Sequence, residues 1–366
     1  SEMLFPDPKR LPYGMKALTL IRWFATHLKG GVALLRGQFT PDAHRSLIFW
    51  HSLTNGYFTD WLSYTQKRSI QDFPSESLST MFSDESSNER SKIVHDIRVH
   101  GYHVLRERID AKLCDAMISV IARTPATVRG RDADIGNPKN IRYCFENPPQ
   151  GVIYDCSFAD LMQAEIFQSL ASEPLFLSVA ADYLGTIPKL DPSGAWWTVA
   201  SKDRDDSLAQ DYHFDMDTIR WLKVFVYLSD VDPQHGPHCF MEGTHRSGTI
   251  PFALRGKGYS RLTDEEVFTH LPRRNEIKFH GAKGTVIFED TRGLHKGQPV
   301  LEGSRLMLQL QFSNVLFKQS EQQVLMNKHK PSREDIVPVS SNFKQVLQQY
   351  PEIFRRYLPL PSEVLH

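Results

Sequence analysis

At Ala195 the hydrophobic pattern of this chain changes its period. Upstream, apolar residues recur at helical spacing. Downstream, Trp196-Trp197-Thr198-Val199-Ala200 and the segments 221–228, 285–288 and 305–313 follow a period of two, between turn-rich stretches. Side chains on a strand point alternately to opposite faces, so each of these segments offers one row to each side of a sheet. Several such strands separated by turns predict a sandwich or barrel for the second half of the chain.

The first seventy residues read as helical. Thr40-Pro41-Asp42 supplies an N-cap, a proline at the first helical position and an acidic first turn; Leu47, Ile48, Trp50 and Leu53 give an apolar face, and Gly56 a stop. Ahead of it, Lys9, Arg10, Lys16, Arg22, Lys29 and Arg36 occur with no acid between them. The plain reading is a basic helix packed on the rest of the protein with its charges in water; peripheral contact of residues 9–36 with a membrane or acidic partner is the sharper one. Gly30 and Gly31 are expected to interrupt any long amphipathic helix there. Residues 71–92 are rich in serine and acids and read as a linker. A strand at 101–105 then leads to a helix Asp110–Ala122, with Leu113, Met117, Val120 and Ile121 buried. Ser172-Glu173-Pro174 opens another helix ending near Gly185. The expected division is a helical N-terminal extension (1–70), a linker (71–92), a main domain (93–318) and a C-terminal extension (319–366), with a helix from Ser341 to Tyr350 stopped by Pro351.

Composition narrows the function classes. Forty-three basic and 43 acidic residues give a formal net charge of zero, so no global basic field argues for nucleic acid. No stretch approaches the ~20 apolar residues of a membrane-spanning helix, and no secretory signal pattern is evident. Cys114, Cys144, Cys156 and Cys239 stand singly, which fits a reduced, cytoplasmic protein without a disulfide framework.

The chemistry gathers in the strand region. In His213-Phe214-Asp215 the two polar side chains fall on one side of a strand, and His295 can join them from a distant strand. Two imidazoles and one carboxylate on one face of a metal form a mononuclear non-haem iron site with three positions open. Asp217 is a weaker alternative carboxylate. His235 and His238 offer only two ligands two residues apart and read as loop residues, as does His245. If His213 and Asp215 face inward, Trp221, Lys223, Phe225 and Tyr227 should do so on the next strand, and Arg305, Met307, Gln309, Gln311 and Ser313 on the last. Two inward glutamines imply a polar cavity, since a buried unpaired amide costs ~1–3 kcal/mol.

Four stretches in order carry a family resemblance: Gly101-Tyr102-His103-Val104-Leu105; Tyr212-His213-Phe214-Asp215 with the strand Leu222–Leu228; Gly236-Pro237 with Glu242-Gly243-Thr244-His245-Arg246; and Gly284-Thr285-Val286-Ile287-Phe288 with Leu294-His295-Lys296-Gly297 and Ser304-Arg305-Leu306. From about residue 95 to 318 the chain resembles the phytanoyl-CoA dioxygenase-like family of iron(II)/2-oxoglutarate oxygenases, with Glu242 where proline is usual. The resemblance implies an α+β fold: a double-stranded β-helix (jelly-roll, cupin-like) core flanked by helices. It implies Fe(2+), 2-oxoglutarate and O2, with His213, Asp215 and His295 as metal ligands. Arg305 would take the distal carboxylate of 2-oxoglutarate, because a planar guanidinium makes two parallel charge-assisted bonds. Phe225 sits where the family has an aromatic residue beside the cofactor, Thr198 offers a hydroxyl, and Gly297 stands where some relatives carry serine. Asp215 favours hydroxylation, since halogenating relatives replace this carboxylate by a small residue.

The expected activity is therefore a dioxygenase that hydroxylates an unactivated C–H of a small-molecule or lipid-like substrate, an anionic one being compatible, and releases succinate and CO2. Tyr143, Trp197, Arg220, Lys223 and Gln309 are candidate substrate contacts. The segment 246–275 is expected to act as a lid bringing Arg255 or Lys257 to an anionic group. The alternatives are a non-catalytic jelly-roll binding module, or an oxygenase acting on a macromolecule.

Overall fold

The computed structural model describes residues 16–67, 81–83, 88–129, 152–200, 210–258, 261–317 and 336–358, with side chains from residue 21 onward. Tyr143, residues 9–15, most of the expected linker and parts of the expected C-terminal extension lie outside them. The helix Arg90–His100 begins inside the span expected to be linker.

Among the described residues ten strands follow in chain order: β1 Tyr102–Val104, β2 Ala126–Arg129, β3 Ile153–Ser157, β4 Lys189–Val199, β5 Trp221–Tyr227, β6 His238–Met241, β7 Glu276–Phe279, β8 Val286–Glu289, β9 His295–Gly297 and β10 Ser304–Ser313. They form a seven-stranded sheet ordered β1-β8-β5-β10-β4-β3-β2 and a three-stranded sheet ordered β7-β6-β9. Residues 212 and 213 extend the smaller sheet, because His213 bridges His295 in antiparallel fashion. From β4 the chain passes to 212–213, back to β5, across to β6 and β7, then to β8, β9 and β10. This repeated crossing between two antiparallel sheets is the double-stranded β-helix, a jelly roll.

Parity within the large sheet divides its two faces. Leu222, Val224 and Val226 of β5 join Leu306, Leu308, Leu310 and Phe312 of β10 in one apolar cluster beneath the helices Ala111–Arg123 and Pro174–Leu184. On the other face Phe225, Tyr227, Ile287 and Met307 meet Phe240 and Phe279 of the small sheet. Each helix has its local cause. The Asp110 carboxylate accepts from Lys112 N at 2.8 Å to cap the first. Glu173 caps the second with Pro174 at its first position, and Gly185 ends it at φ 68°. Cys114, Met117 and Ile121 are the buried side chains of the first, while Leu113 and Val120 pack at its edge.

The N-terminal helices differ from expectation at one place. Lys16–Leu35 runs unbroken through Gly30 and Gly31. A Cβ on Gly30 would stand 1.9 Å from Ser46 Oγ, and one on Gly31 3.0 Å from Trp50 Nε1. The two glycines mark the crossing of this helix over Pro41–Thr54, where a side chain at 30 would overlap Ser46 and one at 31 would press on the Trp50 ring. The next helix, Tyr57–Thr65, completes the layer. Leu34, Ala43, Leu47 and Leu62 share one apolar cluster with Tyr212, Phe214, Met216 and Trp221, so this layer packs on the segment that carries the His-x-Asp motif.

Candidate metal and 2-oxoacid site

The backbones of His213 and His295 exchange two hydrogen bonds, His213 N to His295 O at 3.0 Å and the reverse at 2.8 Å. Residues directly opposite in an antiparallel pair project to the same side. Their imidazoles therefore lie side by side, with centroids 4.3 Å apart. Asp215 is tethered by its amide to Thr291 O at 2.8 Å, and its carboxylate comes 3.8 Å from His213 Nε2 and 3.4 Å from His295 Nε2. One ligand atom from each of the three side chains lies within 4.8 Å of the others, and all three residues are buried.

The tautomers are set from behind. His213 Nδ1 contacts Asp211 O at 3.0 Å and His295 Nδ1 contacts Gly293 O at 2.9 Å. A carbonyl can only accept, so each Nδ1 carries a proton and each Nε2 is turned to the cavity. Lys223 Nζ lies 2.5 Å from Asp215 Oδ2 and 3.3 Å from Asp217 Oδ2. Burial alone would raise the Asp215 carboxyl, but Lys223 and the two imidazoles outweigh it and hold it well below the usual carboxylate range. Burial and the neighbouring His295 push His213 well down. Burial also opposes charge on His295, but Asp215 overrides it and raises that imidazole. The carboxylate is thus ionised and His213 neutral, while Asp215 favours a proton on His295 Nε2, at the position a metal ion would take instead.

A cavity of about 170 Å³ opens beside it. Its walls include Trp196 and Thr198 of β4, Lys223 and Phe225 of β5, and Arg305, Met307 and Gln309 of β10. Arg305 and Thr198 are direct cross-strand partners. The Arg305 guanidinium is buried; Nη1 donates to Gly236 O, while Nε has no hydrogen-bond partner, and neither has Thr198 Oγ1. Burial lowers the Arg305 pKa from its ordinary value, with only Tyr227 and Cys239 opposing. No carboxylate pairs with it among the described residues. Gly297 lies across the cavity wall, and a Cβ there would stand 3.4 Å from Arg305 Nη2.

Other candidates fall elsewhere. Trp197 belongs to the outer apolar cluster, and its neighbour Trp196 takes the cavity position that parity with Thr198 requires. Arg220 is held by Asp60 at 3.0 Å and by the Tyr183 hydroxyl at 3.0 Å, outside the cavity. Arg255 donates to Ser52 O at 3.0 Å and Lys257 pairs with Glu266, so neither reaches the site. The segment 246–275 is strapped down through Leu262, which exchanges hydrogen bonds with Tyr212. Of its cations Arg261 bears on His213 by its charge, and its Nη1 is buried without a partner. Of the two inward glutamines, Gln309 lines the cavity, whereas Gln311 is spent on Asp191 and Ser313, both at 3.4 Å.

Sequence reasoning missed Ile153, Trp196, Gln210, His238 and Gln298 in the lining, whereas Met307 stands inward as expected from the parity of Arg305. His238 is better supplied than its sequence neighbourhood implied, because Glu289 of β8 faces it with both oxygens 3.0 Å from Nε2. Burial pushes the Glu289 carboxyl up to about 8, and burial with His295 pushes His238 well down. The pair is therefore a neutral acid donating to a neutral imidazole.

No family sequence model matches the chain, and no curated protein matches it. Among solved structures it is similar to the non-heme alpha ketoglutarate dependent epimerase SnoN from nogalamycin biosynthesis, at 17% identity over 62% of this chain and 83% of that one, with TM-score 0.45. It is also similar to HygX from Streptomyces hygroscopicus with nickel and 2-oxoglutarate bound, at 17% identity, 61% and 86% coverage and TM-score 0.42. A third is EctD from S. alaskensis with bound Fe, at 18% identity, 68% and 82% coverage and TM-score 0.42. At this level of likeness the chemistry of the site rests on its own residues.

Proposed function

We propose that this chain is an iron(II)- and 2-oxoglutarate-dependent oxygenase that hydroxylates a small organic molecule, with release of succinate and CO2. The observation that carries the reading is Arg305. A buried guanidinium with an unsatisfied Nε, beside an unsatisfied Thr198 hydroxyl and on the same cavity wall as two imidazoles and a carboxylate, lacks an anion. Leaving a buried charge unpaired costs several kcal/mol, so the site gains by taking a carboxylate there.

The donor set fits divalent iron: two imidazoles, each oriented by a backbone carbonyl at Nδ1 and turned to the cavity at Nε2, and one ionised carboxylate form a facial triad with open positions. Iron held by His213, Asp215 and His295, with 2-oxoglutarate and dioxygen, would supply the oxidising equivalent for C–H hydroxylation. The chain's own work is positional. Lys223 fixes the rotation of the Asp215 carboxylate and keeps it ionised. Arg305 and Thr198 orient the distal carboxylate of the cosubstrate, and Gly297 leaves the guanidinium uncovered. Phe225, Met307 and Ile153 keep water from the inner wall, while Trp196, Gln210, Gln298 and Gln309 offer a ring face and amides to the substrate.

Calorimetric titration of the iron-loaded protein with 2-oxoglutarate under anaerobic conditions tests this reading. Binding is expected in the wild type and weakened in Arg305→Ala by ~2–5 kcal/mol, tens to thousands of fold, with iron affinity nearly unchanged. Succinate should form only with iron and oxygen, and His213→Ala should abolish it. No binding of 2-oxoglutarate to the iron-loaded wild type would sink the proposal.

A further inference from the structure

The N-terminal layer carries an apolar surface that the site does not use. On the helix Lys16–Leu35, Ile21, Phe24, Leu28, Val32 and Leu35 are all exposed, Ile21 by 65% and Leu28 by 53%. Spaced three or four apart, they form one stripe along the helix. The opposite side, with Gly30 and Leu34, is buried against the rest of the protein. Arg22, Lys29 and Arg36 recur every seven residues as a row beside the stripe, exposed and without an ion pair among the described residues. The described part of the helix carries no acidic side chain.

The patch continues onto the helix Tyr57–Thr65. Ring contacts run from Phe24 to Trp50 at 5.9 Å, from Trp50 to Phe58 at 5.9 Å and from Phe58 to Trp61 at 6.1 Å. Beyond Phe58 the surface presents Tyr57, Trp61 and Tyr64, exposed by 63%, 51% and 70%. Contiguous exposed apolar surface of this kind marks an interaction site in soluble proteins.

We propose that this face docks peripherally on an anionic lipid bilayer surface. An apolar stripe bordered by a one-sign basic row, on a helix without acids, is the pattern of a helix lying in the membrane interface. Exposed tyrosine and tryptophan suit the headgroup depth, where one end of the ring is apolar and the other wet. Charge decides against a second copy of this chain as occupant. In a two-fold antiparallel pairing the Arg22–Lys29–Arg36 row meets an identical row, with no acid on the helix to offset it. Anionic headgroups neutralise the same row.

Co-sedimentation of the full chain with vesicles tests the proposal. Binding is expected to phosphatidylcholine vesicles doped with phosphatidylserine, to weaken as salt is raised, and to be near background on pure phosphatidylcholine. The triple variant Arg22→Gln, Lys29→Gln, Arg36→Gln should lower the partition coefficient about a hundredfold, from the usual contribution of each basic residue near such a surface. Phe24→Ser with Leu28→Ser should lower it as well and remove the blue shift of tryptophan emission on binding. The circular dichroism spectrum and melting temperature of the charge variant should match the wild type, since its substitutions are at exposed positions; should the apolar variant unfold, the charge variant decides alone. Absence of binding, equal binding to both vesicle types, or an unaffected charge variant overturns the proposal. So does a concentration-dependent dimer in lipid-free sedimentation velocity that the apolar substitutions dissolve.

Discussion

At the scale of single residues, the behaviour of the site turns on Lys223 and Gly297 as much as on the ligands. The Lys223 ammonium sits 2.5 Å from Asp215 Oδ2 and is buried with it. Lys223→Gln removes the cation that counters burial of the carboxylate, and groups that orient ligands typically contribute ~10–100-fold to metal affinity. Iron(II) or cobalt(II) titration of Lys223→Gln should show a loss of that size, and unchanged affinity would mean that the carboxylate is held by other contacts. Gly297 bears on Arg305. A methyl group at 297 would make ordinary contact at 3.4 Å with the guanidinium, while a longer side chain would have to displace it. Gly297→Ala should bind 2-oxoglutarate within a few-fold of the wild type, and Gly297→Leu should bind it far more weakly at unchanged iron affinity. Equal binding by the two variants would place the cosubstrate away from Arg305. The gathering of His213, Asp215, His295 and Arg305 at one cavity was legible because strand parity and spacing are written along one chain segment at a time. His238 was not, because its partner Glu289 arrives from another sheet, and no local pattern announces a pairing across the barrel.

Among the secondary-structure elements, period and parity carried most of the information. The strands β5 and β10 have the faces that alternation requires, and the same rule turns Trp196 inward and Trp197 outward. Parity does not say which inward residue meets the cavity, however. At Pro192–Ser193 the register between β4 and β10 shifts, so that Gln309 pairs with Gly194 and Gln311 with Asp191. Gln311 is thereby satisfied within the sheet, and only Gln309 remains for the cavity. The glycines at 30 and 31 were misread for a related reason. Propensity counts glycine as a helix breaker by about 1 kcal/mol, whereas here it permits a close crossing that pays back in packing. The two terms can be separated by substitution. Gly30→Ala gains the ~1 kcal/mol of propensity but drives a Cβ to 1.9 Å from Ser46 Oγ, an overpacking that costs ~1–3 kcal/mol or more. Gly31→Ala meets Trp50 Nε1 at 3.0 Å, a contact that a small shift relieves. Urea unfolding should therefore rank Gly30→Ala clearly below the wild type and Gly31→Ala close to it. A more stable Gly30→Ala would show that the helices do not cross there.

The whole molecule is tied together by a polar network between the N-terminal layer and the jelly roll. Asp60 of the helix Tyr57–Thr65 accepts from Arg292 at 2.7 Å and from Arg220 at 3.0 Å, and Arg292 also pairs with Asp290 at 2.7 Å. Trp221 and the Asp215 amide both bond Thr291, next to this cluster. The layer thus backs the segment that carries the ligands. Two buried histidines sit against the network. His51 contacts Thr59 Oγ1 at 2.9 Å, and burial, reinforced by Arg292, lowers its pKa from 6.5 to about 3. Burial lowers His245 to about 4. In the unfolded chain both take up a proton as pH falls through about 6.5, while the folded chain refuses it until pH 3 to 4. The unfolded state binds more protons throughout that window. Their contribution is therefore complete above pH 6.5 and is lost on acidification, by up to ~1.4 kcal/mol per pH unit for each histidine. Asp60 and Asp290 add their own loss only below the ordinary carboxylate range, because both are held low. Glu289 works with the opposite sign: held up to about 8, it favours the folded state less as pH rises from 4.5. A melting curve of the wild type alone mixes these terms, but the difference between wild type and His51→Gln cancels every group except His51. That difference should be flat above pH 6.5 and should shrink steadily toward pH 4, as the wild type loses stability that the variant never had. A difference independent of pH would show that His51 is protonated in the folded protein, and that the layer is not packed against the core as tightly as its burial implies.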